Sequence, residues 1–190
     1  MAHRDIDSEK AGVSVALLDS DCPKEALPPN ARTADSAIHR EIKYRRALQE
    51  DAALLVQLRK TVLIAANKLE KDTDLSHIDE NSAAYFGDMN KHTTYLACDG
   101  EDVVGVGSVD YHTQMPTVAN PTGKCAFLMN VYTAPDYRRK GIASEIVRLL
   151  IADAKEKGAG SVMLEATEMG AAMYRKLGFA EAEGYMLLGD

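Results

Sequence analysis

No run of apolar residues in this 190-residue chain approaches the roughly 20 that a membrane span needs. The stretch from Met1 to Lys10 is polar and lacks the apolar core of a secretory signal. The expectation is a cytoplasmic protein that does not meet a membrane. Cysteine is scarce: Cys22, Cys98 and Cys125 are odd in number and far apart. That excludes a disulfide framework and fits a reducing compartment. Basic charge is not in excess either, with 22 Lys and Arg against 29 Asp and Glu, a net charge of −7. Nucleic acid is therefore not an expected partner.

Several catalytic signatures are also missing. No G-x-x-x-x-G-K-[ST] phosphate loop occurs, and no G-x-S-x-G elbow. His77, His92 and His112 do not make a compact metal spacing, so no metal is expected. Gly158-Ala159-Gly160 follows a helical pattern rather than a strand, and Met163 stands where a third glycine belongs, which excludes a dinucleotide fingerprint.

What is present is an ordinary globular composition, 46% apolar, enough to bury a core at this length. Residues 1–39 differ from the rest, holding four Lys and Arg against seven Asp and Glu and three of the six prolines. They read as a flexible extension, with Val13–Leu17 as a candidate strand. The domain is expected from residue 40 to residue 190. Glu41–Arg46 alternates as a short strand. Leu54, Leu55, Leu58, Val62, Ala65 and Leu69 then recur at helical spacing over 50–69. A second helix is expected over 79–90. Thr94–Cys98 and Val103–Tyr111 flank an Asp99-Gly100 turn as a hairpin. Gly105 and Gly107 within the second strand point to a bulge or a close backbone approach.

Lys124–Thr133 is nearly continuously apolar, as in a strand covered on both faces. A helix follows over 141–157, with Ile142, Ile146, Leu149, Leu150 and Ala154 as its buried stripe and Gly158 past its end. Ser161–Glu165 reads as a strand, Met169–Leu177 as a helix and Tyr185–Leu188 as a last strand. The order is β-α-α-β-β-β-α-β-α-β, a mixed α/β sheet with antiparallel hairpins first and a strand–helix–strand unit after.

The informative joint is Thr133-Ala134-Pro135-Asp136-Tyr137-Arg138-Arg139-Lys140-Gly141-Ile142-Ala143. A buried strand ends, a basic loop follows and a helix begins. The first helical turn leaves backbone N–H groups unpaired and carries partial positive charge. Such a joint suits phosphate. Gly141 removes a side chain where an anion would press on the backbone. Ala143 keeps the next position small, and Arg138, Arg139 and Lys140 add cationic donors. On chemistry alone, a solvated basic loop before an ordinary helix explains the same residues.

Arg138-Arg139-Lys140-Gly141-Ile142-Ala143 resembles the [Q/R]-x-x-G-x-[G/A] signature of the GNAT N-acetyltransferase superfamily. Downstream, Ala171-Ala172-Met173-Tyr174-Arg175-Lys176-Leu177-Gly178-Phe179 is similar to the family's A-x-x-[FL]-Y-x-K-x-G-F segment. The resemblance covers roughly residues 40–190. Thr167 departs from the pattern, since many members carry Asn there.

The resemblance implies a GNAT fold: a central, mostly antiparallel twisted sheet flanked by helices and splayed between its two central strands. It implies acetyl transfer from acetyl-CoA to an amine by direct attack in a ternary complex. Backbone amides of Arg139 to Ser144 would cradle the pyrophosphate, and Val131, Tyr132 and Thr133 would pair with the pantetheine arm. The Val131 N–H would polarise the thioester carbonyl. Tyr174 holds the family's position for the acid that protonates the leaving thiolate. The base stays open among Asp79, Glu80, Asp110, His112 and Glu165, with Asn130 as an alternative holder of a bridging water. Tyr111 and Tyr132 are candidates to line the acceptor pocket. The acceptor is a small-molecule amine or a protein or peptide amine. The protein's acidity makes a small polyamine-like or aminoglycoside-like cation one plausible acceptor. The terminal strand could support a homodimer through a free sheet edge. A different class, a non-catalytic acyl-CoA-binding module, would keep the Arg138–Ala143 loop without a working acceptor site.

Overall fold

The computed structural model describes residues 41–182. Residues 1–39, the Val13–Leu17 strand and the Tyr185–Leu188 strand with its dimer edge lie outside the described residues. Nine elements follow in order: β1 (Lys43–Arg46), α1 (Ala52–Ala66), α2 (Asp79–Phe86), β2 (His92–Asp99), β3 (Asp102–Thr113), β4 (Lys124–Thr133), α3 (Ile142–Glu156), β5 (Ser161–Leu164) and α4 (Glu168–Lys176). The five strands form one sheet in the order β1-β2-β3-β4-β5. The first three pairings are antiparallel and β4–β5 is parallel. This is the mixed, mostly antiparallel sheet expected from the sequence.

Each face of the sheet has its own core. On one face α1 packs Leu55, Leu58, Val62 and Ala65 against Leu96, Val106 and Tyr132. On the other, α3 packs Ile142, Ile146, Val147, Leu150 and Ala154 against Ala97, Val109, Ala126, Leu128 and Val131. Complete burial of a leucine or isoleucine side chain is worth about 1.5–3 kcal/mol, and Leu55, Ile146 and Leu150 are each 0% exposed. Val147, not Leu149, completes the α3 stripe, because the stripe turns with the 3.6-residue period.

α3 also carries a buried carboxylate. Asp153 accepts hydrogen bonds from Thr93 Oγ1 and from the Tyr111 hydroxyl. Arg46 Nη1 lies 3.3 Å away. The group fastens the helix to β1, β2 and β3 at once.

Two helices end earlier than their apolar patterns suggest. α1 stops at Ala66, Lys68 turns left-handed at φ 51°, and Leu69 is 37% exposed. α2 stops at Phe86, where Gly87 caps it, and Asp88 then folds the chain back by accepting from the Asn90 and Lys91 amides.

Gly105 and Gly107 do permit a close approach. A Cβ on Gly105 would meet Ile142 Cγ2 at 2.9 Å, and one on Gly107 would meet Ile146 Cγ2 at 2.5 Å. Both glycines let α3 lie directly on β3. A bulge lies opposite. Val106 pairs with Tyr132 and Ser108 with Met129, so Asn130 and Val131 together oppose Gly107. Asn130 takes φ 58°, a left-handed conformation that Asn tolerates better than most residues.

Candidate active site

The bulge marks the point where β4 changes its neighbours. β5 pairs only with Cys125 to Leu128, whereas β3 follows β4 to Thr133. From Met129 to Thr133 one edge of β4 therefore has no β5 partner. Val131, Tyr132 and Thr133 lie on this stretch. The Thr133 hydroxyl is buried with no hydrogen-bond partner among the described residues.

The basic loop lies at the end of that stretch. Pro135–Tyr137 makes a 3-10 turn, Arg139 is left-handed at φ 61°, and Gly141 is left-handed at φ 84°. No side chain caps α3, whose first internal hydrogen bond runs from Glu145 N to Gly141 O at 3.0 Å. A Cβ on Gly141 would meet nothing within 4 Å. The space at Gly141 is open, and among the described residues the helix amides ahead of Glu145 have no backbone partner. Glu145, in the first turn, is drawn aside by Arg148 at 3.0 Å.

Arg138 Nε donates to Thr133 O at 3.2 Å, closing the loop back on β4. Arg139 and Lys140 are exposed. Tyr137 sets the loop's height: its hydroxyl donates to Asp99 Oδ2 at 2.6 Å, and Lys140 Nζ lies 4.9 Å from its ring centre. The Asp99 hydrogen bond pushes the Tyr137 phenol up to about 12. Sequence reasoning missed this anchor because its two residues are 38 apart.

Tyr174 reaches the same place from α4. It is 2% exposed and shares one apolar cluster with Val131, Ile142 and Ala143. Its hydroxyl has no hydrogen-bond partner among the described residues. Burial pushes its pKa up, so the phenol keeps its proton at neutral pH. Thr167, the departure from the family pattern, caps α4 by accepting from Gly170 N at 3.2 Å.

A cavity of about 270 Å³ opens on the α1 and α2 face of β4. The bulge turns Asn130 and Met129 into its wall. α1 supplies Arg59, β3 supplies Ser108, α2 supplies Asn81, Ser82, Tyr85 and Phe86, and Ile78 enters from the turn just before α2. Arg59 Nη1 donates to Asn130 Oδ1 at 3.3 Å. Desolvation lowers the Arg59 pKa from its ordinary value, but not far enough to discharge a guanidinium. The Tyr85 hydroxyl donates to Asp110 Oδ1 at 2.7 Å, and its ring stacks on His92. Arg59, Tyr85 and Ser108 carried no signal in the sequence.

The candidate bases scatter. Asp79 is paired with Lys60, Glu80 and Glu165 are exposed, and His112 lies 3.5 Å from Asp110. Asp110 reaches the cavity only through Tyr85, while Asn130 lines it directly. Tyr111 faces α3 and lines a separate cavity with Lys124 and Lys157. Tyr132 is buried beneath α1. Among the described residues no cluster of His, Cys, Asp and Glu could hold a metal ion.

Residues 62–179 match the family described as Acetyltransferase (GNAT) family. A predicted acetyltransferase from Clostridium acetobutylicum, solved with acetyl-CoA, is 29% identical, with a TM-score of 0.71 over 78% of this chain and 96% of that one. A glucosamine-6-phosphate N-acetyltransferase from Arabidopsis thaliana is 16% identical, with a TM-score of 0.58 over 79% and 99%. An aminoglycoside 6′-N-acetyltransferase from Acinetobacter haemolyticus is 22% identical, with a TM-score of 0.57 over 78% and 97%. The last two likenesses are of fold alone. A comparison with curated proteins finds no match.

Proposed function

The chain belongs to the GNAT acetyltransferase family, and on that premise we propose that it moves an acetyl group from acetyl-CoA to an amine by direct transfer, with both substrates bound together. The catalytic unit is residues 40–190. The observation that carries this reading, among the described residues, is a strand β4 that β5 covers only to Leu128, with the uncapped N-terminus of α3 at its end and the buried Tyr174 hydroxyl without a partner beside it.

The residues fit an acyl-CoA. Open space before Gly141 admits a pyrophosphate, with amides of Arg139 to Ser144 as donors and Arg138, Arg139 and Lys140 as nearby cations. The stretch of β4 that β5 does not cover, at Val131, Tyr132 and Thr133, offers backbone groups to an extended arm. When bound, acetyl-CoA supplies a thioester whose carbonyl carbon accepts the amine. The bulge aims a backbone N–H, that of Val131, at the position where the carbonyl oxygen gains charge.

The proton count follows. An ammonium acceptor gives up one proton before its lone pair can attack and a second after the C–N bond forms. The C–S bond breaks, and the sulfur takes one proton. Tyr174, protonated at neutral pH, is the donor at the sulfur. The amine's first proton passes to solvent, and its second, relayed by water, restores the Tyr174 phenol. Holding both reactants on one strand supplies the remaining advantage, proximity.

Calorimetric titration with acetyl-CoA and with CoA tests the reading in wild type and in Gly141→Glu. Wild type should bind both in the micromolar range. The variant, with a carboxylate at the phosphate position, should lose at least about tenfold, or about 1.4 kcal/mol. No binding to wild type would overturn the proposal.

A further inference from the structure

We infer that the acceptor amine also carries an oxyanion, a carboxylate or a phosphate, and that Arg59 and Asn130 hold it in the cavity between α1, α2 and the β4 bulge. This rests on the acetyl-transfer reading above and names the substrate class of that same site.

The charge inventory is the starting point. A guanidinium has five N–H donors. Arg59 uses one of its N–H groups on a neutral amide oxygen, that of Asn130. Among the described residues no carboxylate pairs with it. Its neighbours in sequence behave differently: Arg45 reaches Asp51 at 2.7 Å, Arg46 reaches Asp153 at 3.3 Å, and Lys60 reaches Asp79 at 2.6 Å. A half-buried cation without a counter-ion is costly to keep, and a ligand that supplies the counter-ion removes that cost.

The second observation is Asn130. It is 2% exposed, and its Nδ2 has no hydrogen-bond partner among the described residues. With its Oδ1 fixed by Arg59, the amide presents only donors to the cavity. Ser82 and Asn81 add polar groups from α2, while Phe86 and Met129 keep the rest apolar. Donors and one positive charge in a poorly solvated wall select an oxyanion.

The cavity also rejects polycations. Among the described residues its one charged lining residue is Arg59, and Asp110, which accepts from the lining Tyr85, is turned to that hydroxyl and to His112. The chain's net charge of −7 is spread over other surfaces and does not describe this wall. A polyamine or an aminoglycoside would bring positive charge to Arg59. The volume, about 270 Å³, is near the lower end of ligand pockets, roughly 300–1,000 Å³, and fits a small zwitterion.

The test labels wild-type protein, saturated with CoA, with phenylglyoxal and follows Arg59 by peptide mass spectrometry. Competing probes are inorganic phosphate, L-alanine, L-alaninamide, glucosamine 6-phosphate, glucosamine and spermidine. At least one oxyanion probe should slow Arg59 labelling several-fold, and the neutral and cationic partners should not. The alanine and phosphate arms tell a carboxylate from a phosphate preference. In thiol-release assays, the kcat/KM ratio of an oxyanion-bearing amine over its neutral partner should fall at least about tenfold in Arg59→Gln and recover in part in Arg59→Lys. Calorimetry with acetyl-CoA keeps the two readings apart. If acetyl-CoA binds and no oxyanion protects Arg59, or spermidine protects it equally, the inference is overturned while acetyl transfer stands. If acetyl-CoA does not bind, the transfer reading falls first.

Discussion

Gly107→Ala tests the claim that α3 rests directly on β3. The glycine is not in the left-handed region, so backbone strain does not enter. The added methyl would lie 2.5 Å from Ile146 Cγ2, 3.3 Å from Leu150 Cδ1 and 3.5 Å from Val131 Cγ2. All three partners are fully buried, so none can swing into solvent. Overpacking of this kind costs about 1–3 kcal/mol. Alanine also restricts the unfolded chain, which returns about 0.4–1 kcal/mol. The net loss is about 1.5 kcal/mol, or roughly 3–6 °C in Tm at 2–4 °C per kcal/mol for a chain of this size. Differential scanning calorimetry of wild type and variant measures it. A double-mutant cycle with Ile146→Ala sharpens it, because the deleted side chain is the one the methyl strikes. The two changes should be less than additive by about 0.5–3 kcal/mol. A Tm for Gly107→Ala equal to or above wild type would refute the reasoning, and so would strict additivity.

Two further outcomes are expected. Tyr174→Phe removes a buried hydroxyl that has no hydrogen-bond partner among the described residues, so stability should hold or rise slightly. Turnover of acetyl-CoA should fall by about 10²-fold if the phenol protonates the leaving sulfur, and a destabilised variant with unchanged kcat would point to a structural role instead. His92 is 0% exposed and neutral, with Nε2 donating to the Phe86 carbonyl and Nδ1 facing the Thr94 hydroxyl. Burial lowers its pKa from 6.5, so below that value the unfolded chain takes up a proton that the folded chain refuses. Stability from this group is complete above pH 6.5 and declines as pH falls, by at most about 1.4 kcal/mol per pH unit. Thermal melts from pH 7.5 to 5.5 should show the decline, and His92→Gln should flatten it; an unchanged slope would refute the assignment.

The parts of this molecule that the sequence discloses are those built from contiguous residues. Lys124–Thr133 has the same bounds in the sequence pattern and in the structure, because a strand buried on both faces needs an apolar residue at nearly every position. The loop from Arg138 to Ala143 is legible for a related reason. The binding proposed for it uses backbone amides and a left-handed glycine, and these requirements fall on neighbouring residues. Gly105 and Gly107 announce a close approach, though not that α3 makes it. Helix ends are less legible. Leu69 continues the apolar spacing of α1, yet Lys68 turns left-handed and leaves Leu69 partly in solvent.

The acceptor side is illegible for a physical reason. Arg59 follows Leu58 in a helix whose pattern assigns it to no special role, and Asn130 is a lone polar residue in an apolar strand. They are 71 residues apart. They meet because the bulge opposite Gly107 inserts one residue into β4 and rotates Asn130 toward α1. The same insertion returns Val131 to the α3 face, where it shares a cluster with Tyr174. One extra residue thus separates two tasks along a single strand. In the proposed function, the edge beyond β5 and the loop after it grip the acyl-CoA, while its α1 face carries the side chains that choose the amine. A motif can disclose the first, since the backbone does the binding there. Only the assembled fold discloses the second: the chain carries a net charge of −7, yet the charged side chain that lines the cavity among the described residues is Arg59.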